Sequence, residues 1–331
     1  MKPNVGRNLS SWLRYRFALA PAAVAVGIEF TIYYVFMWLT NARPRGLSEF
    51  LSFFAAGRIS VSSTAGPAYV YSAADQAMLQ NQIAQHLLGA TFPLIPYVHP
   101  PWFTPLMSVI VHLPYGRAYV AWLSLSALMA GFALWTLLGS NPDVPRGYVI
   151  GAYVSFVPLL VSLMQGQSDS LMLLAVAGCY SAWVAGKMRL AGLLASIAFV
   201  KPQLIVLIPA LFLARRAWPA LNLMLISIGA VVAATVIWSW QGVLRYVQVV
   251  AQWGWGASRL PISQHDGYSI RILLEMLPGG RGLALVALVI LLGLIGLGLS
   301  WSPDSRRIDM ALAISASLVL SPFQNWRISF S

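Results

Sequence analysis

Apolar runs of bilayer-crossing length recur along this chain, separated by shorter polar stretches rich in Gly, Pro and Arg. A crossing helix needs roughly 20 mostly apolar residues. The clearest runs cover residues 17–40, 118–139, 148–164, 171–186, 190–214, 219–240 and 282–301, with a shorter one at 308–320. Long apolar runs without strand-like alternation predict an all-α, polytopic transmembrane bundle, read as one membrane domain over residues 1–331. Its parts are a first span (17–40), an outer loop (41–100), core spans (101–240), a second outer loop (241–281) and C-terminal spans (282–331). Within the first outer loop, residues 48–57 and 73–88 have helix-compatible amphipathic patterns. They are expected to lie along the membrane surface as a lid.

Composition agrees with that picture. Hydrophobic residues make up 59% of the chain and charged residues only 9%, against about 25% charged in a soluble domain. The net charge of +12 does not call for nucleic acid, because Lys and Arg sit in short loops and at run ends, where they set orientation. Lys2, Arg7, Arg14 and Arg16 precede the first run and place the N-terminus in the cytoplasm. Residues 41–100 then face outward. Counting 102–114 as a short span puts 241–281 outside too, and its W-G-W-G and P-I-S-Q-H-D-G-Y-S strings suit a membrane–water interface. The same count strands Lys187 and Arg189 on the outer side. A broken or re-entrant run at 190–214, interrupted at Lys201-Pro202, removes the conflict. The first run is too long for a cleavable signal and lacks a clear cleavage site, so it reads as a retained anchor. Cys179 stands alone inside an apolar run and reads as a small buried hydrophobe. The chain stops shortly after Leu320-Ser321-Pro322, which reads as a short last run and a candidate truncation.

Acidic residues number nine, so a general base comes from a short list. Glu49 opens E-F-L-S-F-F-A-A-G-R just after the first run, with Arg58 at its end and Tyr69-Val70-Tyr71 beyond. A second string, Tyr97-Val98-His99-Pro100-Pro101-Trp102, opens a short helix. A third, Gly166-Gln167-Ser168-Asp169, is followed about thirty residues later by Val200-Lys201-Pro202-Gln203. The order and spacing of these strings over residues 40–220 resemble glycosyltransferase family 87, polyprenyl-phosphate-sugar-dependent membrane mannosyltransferases of the GT-C superfamily. The chain departs from that family in carrying Glu49 where Asp is usual, and in being shorter than most relatives.

The resemblance implies transfer of a hexose, mannose above all, from a polyprenyl-phosphate donor to a lipid or glycan acceptor outside the cytoplasm, in the cell membrane. Such a transfer needs a carboxylate to deprotonate the acceptor hydroxyl and cationic or hydrogen-bonding groups for the departing phosphate. The phosphate is already a good leaving group, so few acids are needed. Glu49 is the expected base. Lys201, Arg58 and His99 are expected at the donor phosphate, and Gln167, Asp169, Tyr71 and His265 at the sugar or acceptor. Each has a plainer alternative. Glu49 reads equally as a solvated loop-edge charge, Lys201 as a snorkelling lysine at a kink, and Arg58 as a headgroup contact. His99 reads also as a helix-entry residue and Tyr71 as one of an aromatic pair. Gln165, Gln167 and Asp169, polar residues between two apolar runs that could meet sugar hydroxyls, read also as an interhelical turn, and His265 as a loop turn.

No H-E-x-x-H or cysteine metal string occurs, so no cofactor is implied and a divalent-ion requirement has no sequence support. G-x-G-x-x-G and P-loop strings are absent, which argues against a nucleotide-sugar or ATP site. The expected partners are the lipid-linked donor, the acceptor and membrane lipids. The rival readings are a non-catalytic transporter or flippase for a lipid-linked sugar, and an inactive truncated relative.

Overall fold

The apolar runs at 118–139 and 219–240 fold as helices long and apolar enough to cross a bilayer, the two such helices among the described residues. The computed structural model describes residues 24–29, 31–33, 35–36, 49–62, 67–89, 91–201, 207–254 and 310. These residues form helices joined by turns and by an irregular stretch at 91–100, with no strand among them. In chain order the helices are α1 (Glu49–Val61), α2 (Ala73–Leu88), α3 (Thr104–Ile110), α4 (Tyr115–Ser140) and α5 (Arg146–Val154). They continue with α6 (Val157–Met164), α7 (Asp169–Val184), α8 (Met188–Ile197), α9 (Leu207–Ala214) and α10 (Trp218–Gly254). Short 3₁₀ turns cover Pro67–Tyr71, Pro101–Phe103 and Ala198–Val200.

Two expected spans take a different form, and a third is broken as its charges require. The run at 148–164 is split into α5 and α6 at Ser155-Phe156. Pro158 sits in the first turn of α6, where its missing N–H is tolerated and a continuous helix through it is not. The run at 190–214 is broken at the expected place: α8 passes through a 3₁₀ turn to Lys201, whose φ of −127° suits a residue before proline. The run at 219–240 does not end at 240. α10 continues to Gly254 across a kink at Ser239 (φ −156°, ψ 77°), where the Ser239 hydroxyl caps the second segment by accepting from Gly242 N–H at 3.2 Å.

The larger correction concerns α1. It was expected as a surface helix, yet Phe50, Leu51, Phe53, Phe54, Ala55, Ala56 and Ile59 are all buried. Its phenylalanines share one face at i, i+3 and i+4, but Leu51, Ala55, Ala56 and Ile59 on the other faces are buried as well, so no broad polar face is left for a membrane–water boundary. They pack among Tyr97, Phe103, Tyr119 and Trp122, with Phe53 edge-on to Phe103 at 5.4 Å and Phe50 against Tyr119 at 5.5 Å. Gly57 permits close approach to α3, since a Cβ there would lie 2.7 Å from Val111 Cγ1. α2 keeps its expected bounds and is capped by the Ser72 hydroxyl and by Gly89 in the left-handed region.

A second core joins α7, α8, α9 and α10 around Trp183, Ala191, Ala195, Phe212 and Ala220. α8 and α10 touch almost backbone to backbone at Gly192, where a Cβ would fall 2.0 Å from the Ala220 carbonyl oxygen. α4 and α7 pack along each other and join the two cores. The helical residues at 24–36 lean on α5, with Thr31 Oγ1 donating to the Val154 carbonyl at 3.2 Å. Expected features at 1–23, 37–48 and 255–309, and the final run, lie outside the described residues.

Candidate functional site

The turn between α6 and α7 carries Gln165-Gly166-Gln167-Ser168, and the described polar chemistry gathers on it. α6 ends in a Schellman motif: Gln167 N–H bonds Ser162 carbonyl at 2.9 Å and Gly166 N–H bonds Leu163 carbonyl at 3.0 Å. Gly166 has φ +64°, and a Cβ there would meet Phe50 Cβ at 2.7 Å. Both facts require glycine. Helix α4 grips the same turn, with Trp122 Nε1 donating to the Gly166 carbonyl and Tyr119 OH to the Met164 carbonyl, each at 2.8 Å.

This turn meets the start of α1. Phe50 N–H donates to the Gln165 carbonyl at 3.1 Å, which holds Glu49 at the mouth of the turn. The amide of Gln167 donates to Glu49 Oε1 at 2.8 Å and to Gln165 Oε1 at 2.7 Å. Asp169 follows as the first residue of α7. Its Oδ2 accepts from Ser162 Oγ at 3.0 Å, and its Oδ1 pairs with Lys201 Nζ. The Lys201 side chain keeps 14% exposure and that of Asp169 28%, so the pair is largely sheltered but reachable.

The carboxyl of Glu49 is pushed up to about 7, first by burial, which disfavours the anion, and further by the Asp169 charge. Lys201 and the Gln167 hydrogen bond oppose that rise. A carboxyl that titrates near neutrality both accepts and releases a proton readily.

His99 is buried beside this cluster. Its Nε2 lies 3.0 Å from Ser168 Oγ, and Phe53, Tyr97 and Phe103 surround the ring at 4.6, 5.9 and 5.1 Å. Burial and then the Lys201 charge hold its affinity for a proton well below the usual histidine range. The ring faces Ser168 and lies behind the polar cluster rather than in it. Tyr71 donates its hydroxyl to the His99 carbonyl at 2.7 Å, so it supports the His99 backbone rather than joining the polar cluster. Arg58 is not brought in either. It lies nine residues along α1 from Glu49, about 13 Å at 1.5 Å per residue, is exposed, and donates to the Val111 carbonyl at 3.4 Å. His265 lies outside the described residues.

The structure therefore unites Glu49, Gln167, Asp169 and Lys201, and sets His99 behind them. It adds Ser162 and Ser168, which were not among the expected site residues, and it includes Gln165, grouped with Gln167 and Asp169 from the sequence. The available signal was Gly166 after an apolar run, which marks a helix end and places Gln165, Gln167 and Ser168 in one short turn. Among the described residues no group of three or more His, Cys, Asp or Glu side chains is placed to hold a metal ion.

The model of glycosyltransferase family 87 matches residues 97–322, more than half of the 331-residue chain. The chain belongs to glycosyltransferase family 87. Membership makes it a glycosyltransferase, with a sugar donor and an acceptor as its substrates. With the two long apolar helices it also marks a membrane protein. The family 87 match covers the turn at 165–169 and Lys201, and begins after Glu49 and Arg58. Comparisons with curated proteins and with solved structures found no match.

Proposed function

We propose that this family 87 glycosyltransferase moves a hexose, mannose in the first instance, from a polyprenyl-phosphate donor to a hydroxyl of a lipid or glycan acceptor. The observation that carries the proposal is the placing of Glu49, with its carboxyl near neutrality, against Gln167 and beside the Lys201–Asp169 pair. Glu49 takes the proton of the acceptor hydroxyl as the acceptor oxygen bonds to the anomeric carbon. The bond from that carbon to the phosphate oxygen breaks on the opposite face, and polyprenyl phosphate leaves with the electron pair. The configuration inverts, and Glu49 then returns its proton to solvent. Lys201 receives the negative charge of the departing phosphate. Gln167 and Asp169 orient the base and the cation, and are within reach of sugar hydroxyls.

The basic N-terminus and the positive-inside rule support a site facing away from the cytoplasm. A lipid-carried sugar reaches that side, which accords with the absence of any nucleotide-phosphate loop. The GT-C architecture is part of the same proposal and rests on the resemblance of the motifs.

The test uses purified protein in vesicles containing polyprenyl-phosphate mannose and compares donor consumption by wild type and by Glu49→Gln. Loss of consumption in the variant supports the transferase and its base. Equal consumption by both removes the base, and lipid movement without consumption by either points to a flippase.

A further inference from the structure

His99 offers two ring nitrogens but uses one. Nε2 faces Ser168 Oγ at 3.0 Å, while Nδ1 is buried without a hydrogen-bond partner. An orphaned buried N–H is rarer in proteins than an under-used acceptor. The proton therefore belongs on Nε2, which donates to Ser168, and Nδ1 keeps its lone pair. Protonating Nδ1 as well would place a second cation beside Lys201 in a box of Phe53, Tyr97 and Phe103, with no carboxylate bonded to the ring.

Ser168 is the residue between Gln167, which holds Glu49, and Asp169, which holds Lys201. Its own side chain is fully buried. From the other side, the His99 backbone is fixed by Tyr71. We infer that His99 is a positioning residue: a buried imidazole that pins Ser168 through Nε2 and so sets the spacing between the base and the phosphate-binding cation. This inference rests on the roles proposed above for Glu49 and Lys201. It assigns His99 no contact with substrate.

The test is steady-state kinetics against pH in vesicles carrying polyprenyl-phosphate mannose, with His99→Phe, His99→Gln, Ser168→Ala and the His99→Phe/Ser168→Ala double variant. The charged and polar groups facing Glu49 are Lys201, Asp169 and Gln167. Letting the turn drift weakens the Gln167 bond, which favours the Glu49 anion, so the acidic limb of kcat moves to higher pH. His99→Phe is expected to lower kcat by on the order of tenfold or more, as misplacement of reacting groups does, and to move that limb upward. The Gln side chain carries its N–H at nearly the position of imidazole Nε2, so His99→Gln restores both. Ser168→Ala reproduces the His99→Phe effect, and the double variant is no worse than either single change. An unmoved limb with unchanged kcat in His99→Phe, failure of His99→Gln to recover, or additive losses in the double variant each overturns the inference. Should His99→Phe not fold, the comparison of Ser168→Ala with His99→Gln decides in the same way. Turnover retained by Glu49→Gln removes the base assignment instead. The His99–Ser168 coupling then still stands or falls on the additivity comparison.

Discussion

Gln167 donates one amide hydrogen to Glu49 Oε1 at 2.8 Å across 118 residues of chain. Its other amide bond goes to Gln165 in the same turn. A residue on the α6–α7 turn thus sets the direction of a carboxylate on α1, and the proposed chemistry depends on that alignment.

Replacing Glu49 tests the base directly. Removal of a general base typically costs 10²–10⁴-fold, so Glu49→Gln is expected to lower turnover by roughly that factor while leaving donor binding intact. Glu49→Asp retains the carboxylate, loses one methylene of reach and keeps measurable activity. Single-turnover donor consumption with a separate donor-binding measurement distinguishes the two steps.

The pH dependence has a definite sign. As the proposed base Glu49 acts as its anion, so activity is expected to fall as pH drops through about 7. The effect on stability runs oppositely. A carboxyl whose folded value is raised above 4.5 to about 7 binds protons more tightly when folded. Its contribution is complete below about 4.5 and is lost as pH rises through about 7. Thermal melts of detergent-solubilised protein across this range should show that decline, and Glu49→Gln should flatten it.

Lys201 pairs with Asp169 and is the proposed phosphate-binding cation, two parts that a double variant separates. Lys201→Met leaves Asp169 without its partner, so it is expected to destabilise by about 1–3 kcal/mol, less than a fully buried pair because both side chains keep some exposure. Lys201→Met with Asp169→Leu recovers much of that stability. Donor affinity stays low in both variants if Lys201 binds phosphate. Recovery of donor affinity in the double variant would leave Lys201 as a structural cation.

Gly166 admits no side chain without a shift. A left-handed conformation disfavours alanine by roughly 1–2 kcal/mol, and contact with Phe50 Cβ adds an overpacking term of about 1–3 kcal/mol. Gly166→Ala is therefore expected to lower the melting temperature and to reduce turnover beyond the loss of folded protein. Activity normalised to folded protein checks the second part.

Sidedness is open to chemical labelling. Cys179 is fully buried, and Ser62 lies just past the end of α1 with partial exposure. In a Cys179→Ala background, Ser62→Cys is expected to react with a membrane-impermeant maleimide added to intact cells. Reaction only after the membrane is opened would reverse the orientation and remove the case for a lipid-linked donor.

Some of this organisation was readable from the chain. The runs at α4 and α10 exceed 20 apolar residues, so their helices followed from length alone. The break at Lys201 was readable because a charge and a proline interrupt one apolar run. Glu49 stood out by the scarcity of acids. What escaped was three-dimensional. α1 lies in a segment that seemed peripheral, and only packing shows that its phenylalanines are surrounded on every side. Arg58 shares a short string with Glu49, yet the rise of the helix separates them by two and a half turns. Ser162 and Ser168 are ordinary residues in sequence, and their roles come from partners 7 and 69 positions away.

The burial of α1 bears on how substrates arrive. Swinging this helix aside would bring Phe50, Phe53 and Phe54 into contact with water together, at about 1.5–3 kcal/mol each. Together they cost about 4–9 kcal/mol, so an open state of that kind is sparsely populated. In the proposed reaction Glu49 is mounted on a fixed jaw, to which the acceptor and the lipid-borne sugar travel.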